Sequence, residues 1–242
     1  MDGEGRIESV VAVEGHPDDV ELGCLGTLIK LRDTGADITI VSVTDGANGA
    51  AHDPGQLASI AETRKHEATA VAERLNGRFV SLGAPDSYLY DTPELRDSLA
   101  SIIREARADV VFVPPGTDYH EDHITAGKLA FSAVYLAVTG MRIDGPRLES
   151  TPRLYYFDAI AGVDFVPSFL VDISDQIEEK KALVALHASQ MHNMSASGGW
   201  NLVEHVEIVG AMRGLQGATR YAEAFQTCLQ WPRGRALTQF PV

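Results

Sequence analysis

The feature that most constrains this chain is the alternation of short β-branched segments with longer helical segments over roughly its first 140 residues. Segments typical of buried strands lie at residues 7–13, 37–43, 79–82 and 109–113, and segments typical of helices at 21–32, 59–75, 93–107 and 124–138. Strands that alternate with helices form parallel βαβ units. We therefore predict an α/β fold with a doubly wound, Rossmann-like, mostly parallel sheet and helices on both faces.

The pattern changes after about residue 140. Residues 153–160 and 168–173 read as strands on either side of a turn at Pro167, and residues 175–187 read as a helix. Residues 191–220 are rich in Met and Gly and predict a loop followed by a helix near the functional site. We expect residues 1–242 to form a single domain, in which residues 1–140 carry the site and residues 141–242 complete the fold and the pocket.

Composition narrows the classes of partner. A net charge of −14 disfavours nucleic acid, because phosphate binding needs clustered Lys and Arg. The chain contains no apolar run of membrane-spanning length, so we expect no membrane partner. Its acidic N-terminus is unlike a secretory signal, and two cysteines give no disulfide framework, so we expect a cytoplasmic location. The sequence leaves a homo-oligomer open.

A first polar cluster follows the first predicted strand. His16, Asp18 and Asp19 lie in the turn from that strand into a helix, and ligands of open α/β sheets bind at the carboxyl ends of strands. Imidazole nitrogen and carboxylate oxygen are both good zinc ligands. The same residues also fit a helix-start cap, with Glu21 closing a capping box. By itself, the cluster does not decide between a metal site and a cap.

A second polar cluster favours the metal site. Residues 118–123 hold two aspartates and two histidines, and they follow the strand at 109–113. Both clusters therefore lie at strand carboxyl ends on the same edge of the predicted sheet. A catalytic zinc site keeps three protein ligands and leaves one position open. Two such clusters at one sheet edge indicate a metal site of this kind.

The motifs resemble those of the PIG-L or LmbE-like de-N-acetylases. His16-Pro17-Asp18-Asp19 matches the family's His-Pro-Asp-Asp motif, and His120-Glu121-Asp122-His123 matches its His-Pro-Asp-His motif except for Glu121 in place of Pro. Within this family, the motifs most resemble those of the bacillithiol-biosynthesis deacetylases. Weaker similarities extend over nearly the whole chain, at residues 44–49, 64–68, 83–86, 171–174, 181–183, 189–190 and 221–225.

The resemblance implies roles for the motif residues. His16, Asp19 and His123 would bind Zn²⁺, or another divalent metal such as Fe²⁺, and zinc lowers the pKa of bound water. Asp18 would be the general base. His120, with Asp122 beside it, would carry positive charge toward the oxyanion. Glu121 adds a negative charge near the site.

Two further residues are candidates for substrate binding. Arg64 would clamp an anionic substituent, or else form a structural ion pair. Asp86 would accept hydrogen bonds from sugar hydroxyls, or else serve only the turn.

The resulting hypothesis is metal-dependent hydrolysis of the acetamide of an N-acetylated amino sugar, such as an N-acetylglucosamine conjugate, with that small molecule as the partner. Two alternatives remain: an amidase acting on a larger N-acyl or thiol-conjugate substrate, and a non-hydrolytic nucleotide- or metal-binding domain. The nucleotide-binding alternative lacks the Gly-x-Gly-x-x-Gly turn that it would need after the first strand.

Overall fold

The computed structural model describes residues 6–50, 52–158, 160–191 and 201–234. Seven strands form one sheet in the order β3-β2-β1-β4-β5-β7-β6. The first five strands are parallel, and β7 runs antiparallel to both of its neighbours. The strands are β1 (Ser9–Glu14), β2 (Asp37–Thr44), β3 (Arg78–Ala84), β4 (Val110–Val113), β5 (Arg153–Phe157), β6 (Phe169–Asp172) and β7 (Ala222–Thr227).

The helices pack on both faces of the sheet, and the apolar core is divided accordingly into two clusters. They are α1 (Asp19–Gly23), α2 (Leu25–Asp33), α3 (Leu57–Arg74), α4 (Pro93–Ala106), α5 (Glu121–Thr139), α6 (Ile177–Val184) and α7 (Leu202–Gln216). Helices α4 and α5 cover one face, and the other five cover the opposite face. None of the helices in the described ranges is both long and apolar enough to cross a membrane.

Strand β1 shows why the sheet is covered on both sides. Val10 and Ala12 pack into one apolar cluster, and Val11 and Val13 pack into the other. Successive side chains of a strand point to opposite faces, so a strand buried on both faces must be apolar throughout. This confirms the predicted α/β class with a mostly parallel sheet.

Three elements differ from the sequence-based prediction. The helix predicted at 21–32 is two helices, because Cys24 between them adopts a non-helical φ of −146°. The helix predicted at 124–138 begins at Glu121, so the second motif lies in its first turn. Strand β7 was not predicted: its sequence AEAFQT has few β-branched residues, and its position is fixed by pairing with β5 and β6.

The loop and helix predicted for residues 191–220 are partly described. Helix α7 begins after Asn201, whose side chain accepts a hydrogen bond from Glu204 N while Glu204 bonds back to the Asn201 amide. This reciprocal pair satisfies two otherwise unpaired amides at the helix start. Residues 192–200 of the predicted loop lie outside the described residues.

Candidate metal centre

The two polar clusters meet because β1 and β4 are neighbouring parallel strands. Val10 pairs with Val110, and both strands end at the same edge of the sheet. From β1 the chain continues to β2 on one side, whereas β4 lies on the other side, so this edge is the topological switch point. A crevice at the switch point is the usual ligand site of such sheets. The structure therefore brings the two motifs together as predicted from their places after the strands.

Three potential ligands converge at this crevice. His16 Nδ1 lies 3.0 Å from His123 Nε2. One oxygen of Asp19 lies 3.3 Å from His123 Nε2, and the other lies 3.7 Å from His16 Nδ1. Zinc bonds of about 2.0–2.1 Å in a tetrahedral arrangement put ligand atoms roughly 3.3 Å apart. The spacing and the chemistry of these donors fit a divalent metal ion.

A second grouping involves His120. One ring nitrogen from each of His16, His120 and His123 falls within 4.8 Å of the others. The Nδ1 atom of His120 already accepts a hydrogen bond from Asp122 N at 3.2 Å, which leaves only Nε2 for another role. The Asp19 oxygens lie 3.3 Å and 3.7 Å from the two histidine nitrogens and Nδ1 of His120 is already bonded, so Asp19 is the candidate for the third ligand.

The other ring nitrogens of both ligand histidines face carboxylates. His16 Nε2 lies 3.1 Å from Asp122 and 3.1 Å from Asp86. His123 Nδ1 lies 2.9 Å from Asp118, which also accepts from His120 N at 3.0 Å. Such carboxylates fix the tautomer of a metal-binding histidine and raise its basicity. Sequence reasoning did not assign Asp118, although its place two residues before His120 in the second cluster was the available signal.

These carboxylates create a negative field around the two histidines. Burial alone would lower the pKa of His16, but hydrogen bonds to Asp122, Asp19 and Asp86 raise it well above the usual value. Burial also opposes charge on His123, yet Asp19 and Asp118 raise its pKa to about 10. The metal-free site therefore holds protons where a cation would bind, and metal binding must displace them.

Asp18 has an unusual backbone and an unusual acidity. Its φ of 138° is strained for a residue other than glycine, and such strain is characteristic of functional sites. Its side chain makes no cap hydrogen bond, so the capping alternative does not describe this turn. Burial raises the pKa of Asp18 to about 6, against the opposing effect of Arg64. The carboxylate can accept a proton near neutral pH.

The guanidinium of Arg64 is occupied by the protein itself. It is 1% exposed, and it donates to the carbonyls of Gly46 and Pro17 at 2.6 Å each. Its Nη2 atom lies 3.1 Å from the Asp18 carboxylate. Of the two roles considered for Arg64, these contacts support the structural ion pair. Arg64 holds the strained turn that presents Asp18.

The loop after β3 is tied to the metal motifs through Asp122. Its carboxylate accepts from Ser87 N at 2.6 Å and from Leu89 N at 3.2 Å. Asp86, in the same loop, accepts from Gly49 N at 3.2 Å. Although burial alone would raise the pKa of Asp86, its contact with His16 lowers it to about 2. Asp86 is therefore ionised and orients His16, in addition to facing the cavity.

His120 differs from the sequence-based expectation. Its ring was expected to be protonated with help from Asp122, but the Asp122 carboxylate lies against His16 instead. Burial, followed by the positive charges of His16 and His123, lowers the pKa of His120. The structure thus favours a neutral ring with its hydrogen on Nε2. Glu121, the departure from the family motif, is exposed and begins helix α5.

A cavity of about 260 Å³ opens over this centre. Asn48, Tyr119 and Gln190 also line it. All but Asp122 of the eight predicted site residues line it: His16, Asp18, Asp19, Arg64, Asp86, His120 and His123. Asp122 is buried behind His16. The candidate metal ligands, the Asp18 carboxyl of raised pKa and the His120 imidazole therefore face one cavity.

A buried acid–base pair lies behind the cavity. His187 and Glu21 are both 0% exposed, and His187 Nε2 lies 3.1 Å from Glu21 Oε1. Interaction with Glu21 raises the pKa of His187, although burial opposes the shift. His187 is therefore inside the protein and is not among the residues that line the cavity.

Comparisons with known proteins agree with the motifs. The family model for PIG-L, GlcNAc-PI de-N-acetylase, matches residues 11–134. Diacetylchitobiose deacetylase from Thermococcus kodakarensis is 30% identical over 237 residues, which cover 91% of this chain and 83% of that protein.

Two solved structures share the fold. One is N,N'-diacetylchitobiose deacetylase from Pyrococcus horikoshii in complex with an inhibitor, with a TM-score of 0.79, 26% identity, and coverage of 92% of this chain and 84% of that chain. The other is 4-carboxy-2-hydroxymuconate hydratase from Pseudomonas putida, with a TM-score of 0.81, 22% identity, and coverage of 95% and 99%. The second likeness concerns the fold alone. From the family match and the Thermococcus relative, the chain belongs to the PIG-L (GlcNAc-PI de-N-acetylase) family.

Proposed function

We propose that this protein is a metal-dependent hydrolase that removes the acetyl group from an N-acetylated amino sugar, releasing a free amine and acetate. The observation that carries the proposal is the convergence of His16 Nδ1, His123 Nε2 and the Asp19 carboxylate within 3.0–3.7 Å. Three ligands leave a coordination position open, as catalytic sites require. The names of relatives, diacetylchitobiose deacetylase and the deacetylase of an inositol acetamido-deoxyglucopyranoside, support the substrate class.

The residues around the ligands have complementary roles. A divalent ion held there would supply Lewis acidity and would acidify water. Asp18 accepts the proton of the attacking water, because burial has raised its pKa to about 6. His120 donates a hydrogen bond from Nε2 to the developing oxyanion. The neutral ring can do so because Nδ1 accepts from Asp122 N and the ring hydrogen is therefore on Nε2. Asp18 then returns its proton to the leaving amine.

The same proposal covers the metal ion, the domain organisation and the partner. Zinc is our first choice, since the donor set is two imidazoles and one carboxylate, and Fe²⁺ is the alternative. We also propose that residues 1–242 act as one domain, because strands from both parts of the chain join one sheet. The partner is a small amino-sugar molecule.

The alternatives make different demands on the cavity. A larger N-acyl substrate would have to place its longer acyl chain in the same cavity of about 260 Å³ as the sugar ring. A nucleotide-binding domain would need backbone amides that donate hydrogen bonds to the phosphates. The crevice is surrounded instead by four carboxylates, those of Asp18, Asp19, Asp86 and Asp118. Because the fold also carries a hydratase, the proposal depends on the residues of the site and not on the fold.

The test is an assay with defined metal content. Protein stripped by a chelator and reloaded with Zn²⁺ or Fe²⁺ is incubated with N-acetylglucosamine and with N,N'-diacetylchitobiose, and free amine and acetate are quantified. The matched control is Asp18→Asn, which keeps the size of the side chain but cannot accept the proton. We expect equal amounts of amine and acetate from the reloaded chain only. No amine from either substrate with either metal would overturn the proposal.

A further inference from the structure

Exposed tyrosines are concentrated beside the candidate site. Of the seven tyrosines, Tyr88, Tyr90 and Tyr119 are the most exposed, at 66%, 71% and 72%. All three lie in the loops that follow β3 and β4, at the edge of the sheet that carries the metal motifs. Large apolar side chains grouped at an exposed edge mark a binding surface.

A second cavity, of about 310 Å³, lies next to these loops. Its side chains combine aromatic rings with hydrogen-bonding groups: Asp91, Lys128, Phe131, Ser132, Tyr156 and Gln230. Phe131 is held in place by the guanidinium of Arg233, which lies 3.5 Å above its ring. None of these six residues has a role in the chemistry proposed above.

The two cavities share the same pair of loops. Ser87 lines the first cavity and Asp91 the second, whereas Tyr119 lines the first and Gly116 the second. Ser87 and Asp91 are four positions apart, a span of at most about 13 Å at ~3.3 Å per residue. Tyr88 and Tyr90 lie within that span. The backbone amides of Ser87 and Leu89 bond to Asp122, which fixes the start of the span beside the metal centre.

We propose that the second cavity is a distal saccharide subsite, which binds the further sugar rings of an oligosaccharide whose N-acetylated ring occupies the first cavity. Tyr119 lines the first cavity, and Tyr90 lies in the loop segment between Ser87 and Asp91, which line one cavity each. This inference rests on the proposed deacetylase function, and it specifies a substrate longer than one sugar ring.

The lining matches a neutral saccharide. Aromatic faces pack against the apolar faces of sugar rings, and a few polar groups fix orientation through the hydroxyls. Lys128, Ser132 and Gln230 supply such polar groups. The Asp91 carboxylate is paired with Arg96, so the cavity is not strongly acidic. A net charge of −14 would repel a polyanionic chain but not a neutral one.

The experiment compares substrates of increasing length. Release of amine from N-acetylglucosamine and from tetraacetylchitotetraose is measured with the zinc-loaded full chain and with Tyr90→Ala and Lys128→Ala. We expect kcat/KM to be higher for the tetramer, mainly through a lower KM. Each substitution should reduce the tetramer-to-monomer ratio roughly two- to tenfold, the scale of one aromatic or hydrogen-bonded contact. Lys65→Ala, which removes an exposed lysine from helix α3 on the opposite face, should leave the ratio unchanged.

A separate measurement distinguishes this inference from the proposed function. Affinity for the tetramer and for the monomer is measured by calorimetry on metal-free protein, where no hydrolysis occurs. Tighter binding of the tetramer, weakened by Tyr90→Ala and Lys128→Ala, supports the subsite even if no substrate is deacetylated. Equal affinities for both ligands, or equal effects of Lys65→Ala and Lys128→Ala, would overturn the subsite while leaving the deacetylase proposal intact.

Discussion

Asp118 offers the sharpest test of how the metal centre is built. Its side chain is 2% exposed, and it accepts hydrogen bonds from His123 Nδ1 at 2.9 Å and from His120 N at 3.0 Å. Asp118→Ala removes both hydrogen bonds, which the same Oδ1 oxygen accepts, together with the negative charge. Loss of such a partner typically weakens metal binding about 10–100-fold, or ~1.4–2.7 kcal/mol. Asp118→Asn keeps an acceptor oxygen and should lose less.

The pH dependence of this loss follows from the acidity of His123. Asp19 and Asp118 raise its pKa to about 10, so in metal-free protein a proton competes with the metal at neutral pH. Removing Asp118 lowers that pKa and weakens the competition, which partly hides the loss at pH 7. The difference in affinity between the unmodified chain and Asp118→Ala should therefore be larger at pH 8.5 than at pH 7.

The raised pKa of His123 also determines how the stability of the metal-free protein changes with pH. Because the folded-state pKa of His123 is raised, its ion pair stabilises the fold fully below the unfolded value of about 6.5, and this contribution is lost as pH rises through about 10. Asp118→Ala should thus destabilise metal-free protein more at pH 6 than at pH 10, as measured by urea unfolding.

The assay is competition for Zn²⁺ against a chelator of known affinity, at both pH values. Asp144→Ala is the control, because this exposed carboxylate lies beyond the far end of the 19-residue helix α5. It should bind metal as tightly as the unmodified chain. If Asp118→Ala and Asp144→Ala gave the same affinities at pH 8.5, the orienting role of Asp118 would be refuted.

Four further predictions concern the centre and the core. His16→Ala and His123→Ala should each lose bound metal by elemental analysis, and full retention in both would contradict the ligand set. Asp18→Asn should keep its metal but lower kcat by about a hundredfold or more. In the unmodified chain, kcat/KM should fall as Asp18 becomes protonated. This fall should occur at or below pH 6, because a bound cation lowers the pKa of Asp18 from its metal-free value of about 6. His120→Ala should lower turnover with metal content unchanged, whereas loss of metal would make His120 a ligand. Leu129→Ala, at a fully buried position of α5, should lower the free energy of unfolding by about 2–5 kcal/mol in urea titration, and a change below 1 kcal/mol would show that the core is loosely packed there.

The order of elements was predictable wherever local pattern and tertiary environment agree. Strands β1, β2 and β4 are buried on both faces, and their runs of β-branched residues predict this burial. Strand β7 was not predictable in the same way. Ala222, Glu223 and Ala224 have low strand propensity, and Glu223 is buried there because it pairs with Lys180 at 2.7 Å. That contact joins residues 43 positions apart.

The meeting of the two metal motifs was also predictable from sequence, since both follow strands whose carboxyl ends lie at one edge of a parallel sheet. The sequence by itself determined the fold class, the family and the residues gathered in the crevice. Only the tertiary structure decided what several of them contact. The Asp122 carboxylate is hydrogen-bonded to His16 and not to His120, and Arg64 pairs with Asp18 and donates to two backbone carbonyls. Local spacing sets which residues share a strand end. The direction of a buried side chain, and hence the charge state of His120 or Asp18, depends on partners up to about a hundred residues away that share its low-dielectric surroundings.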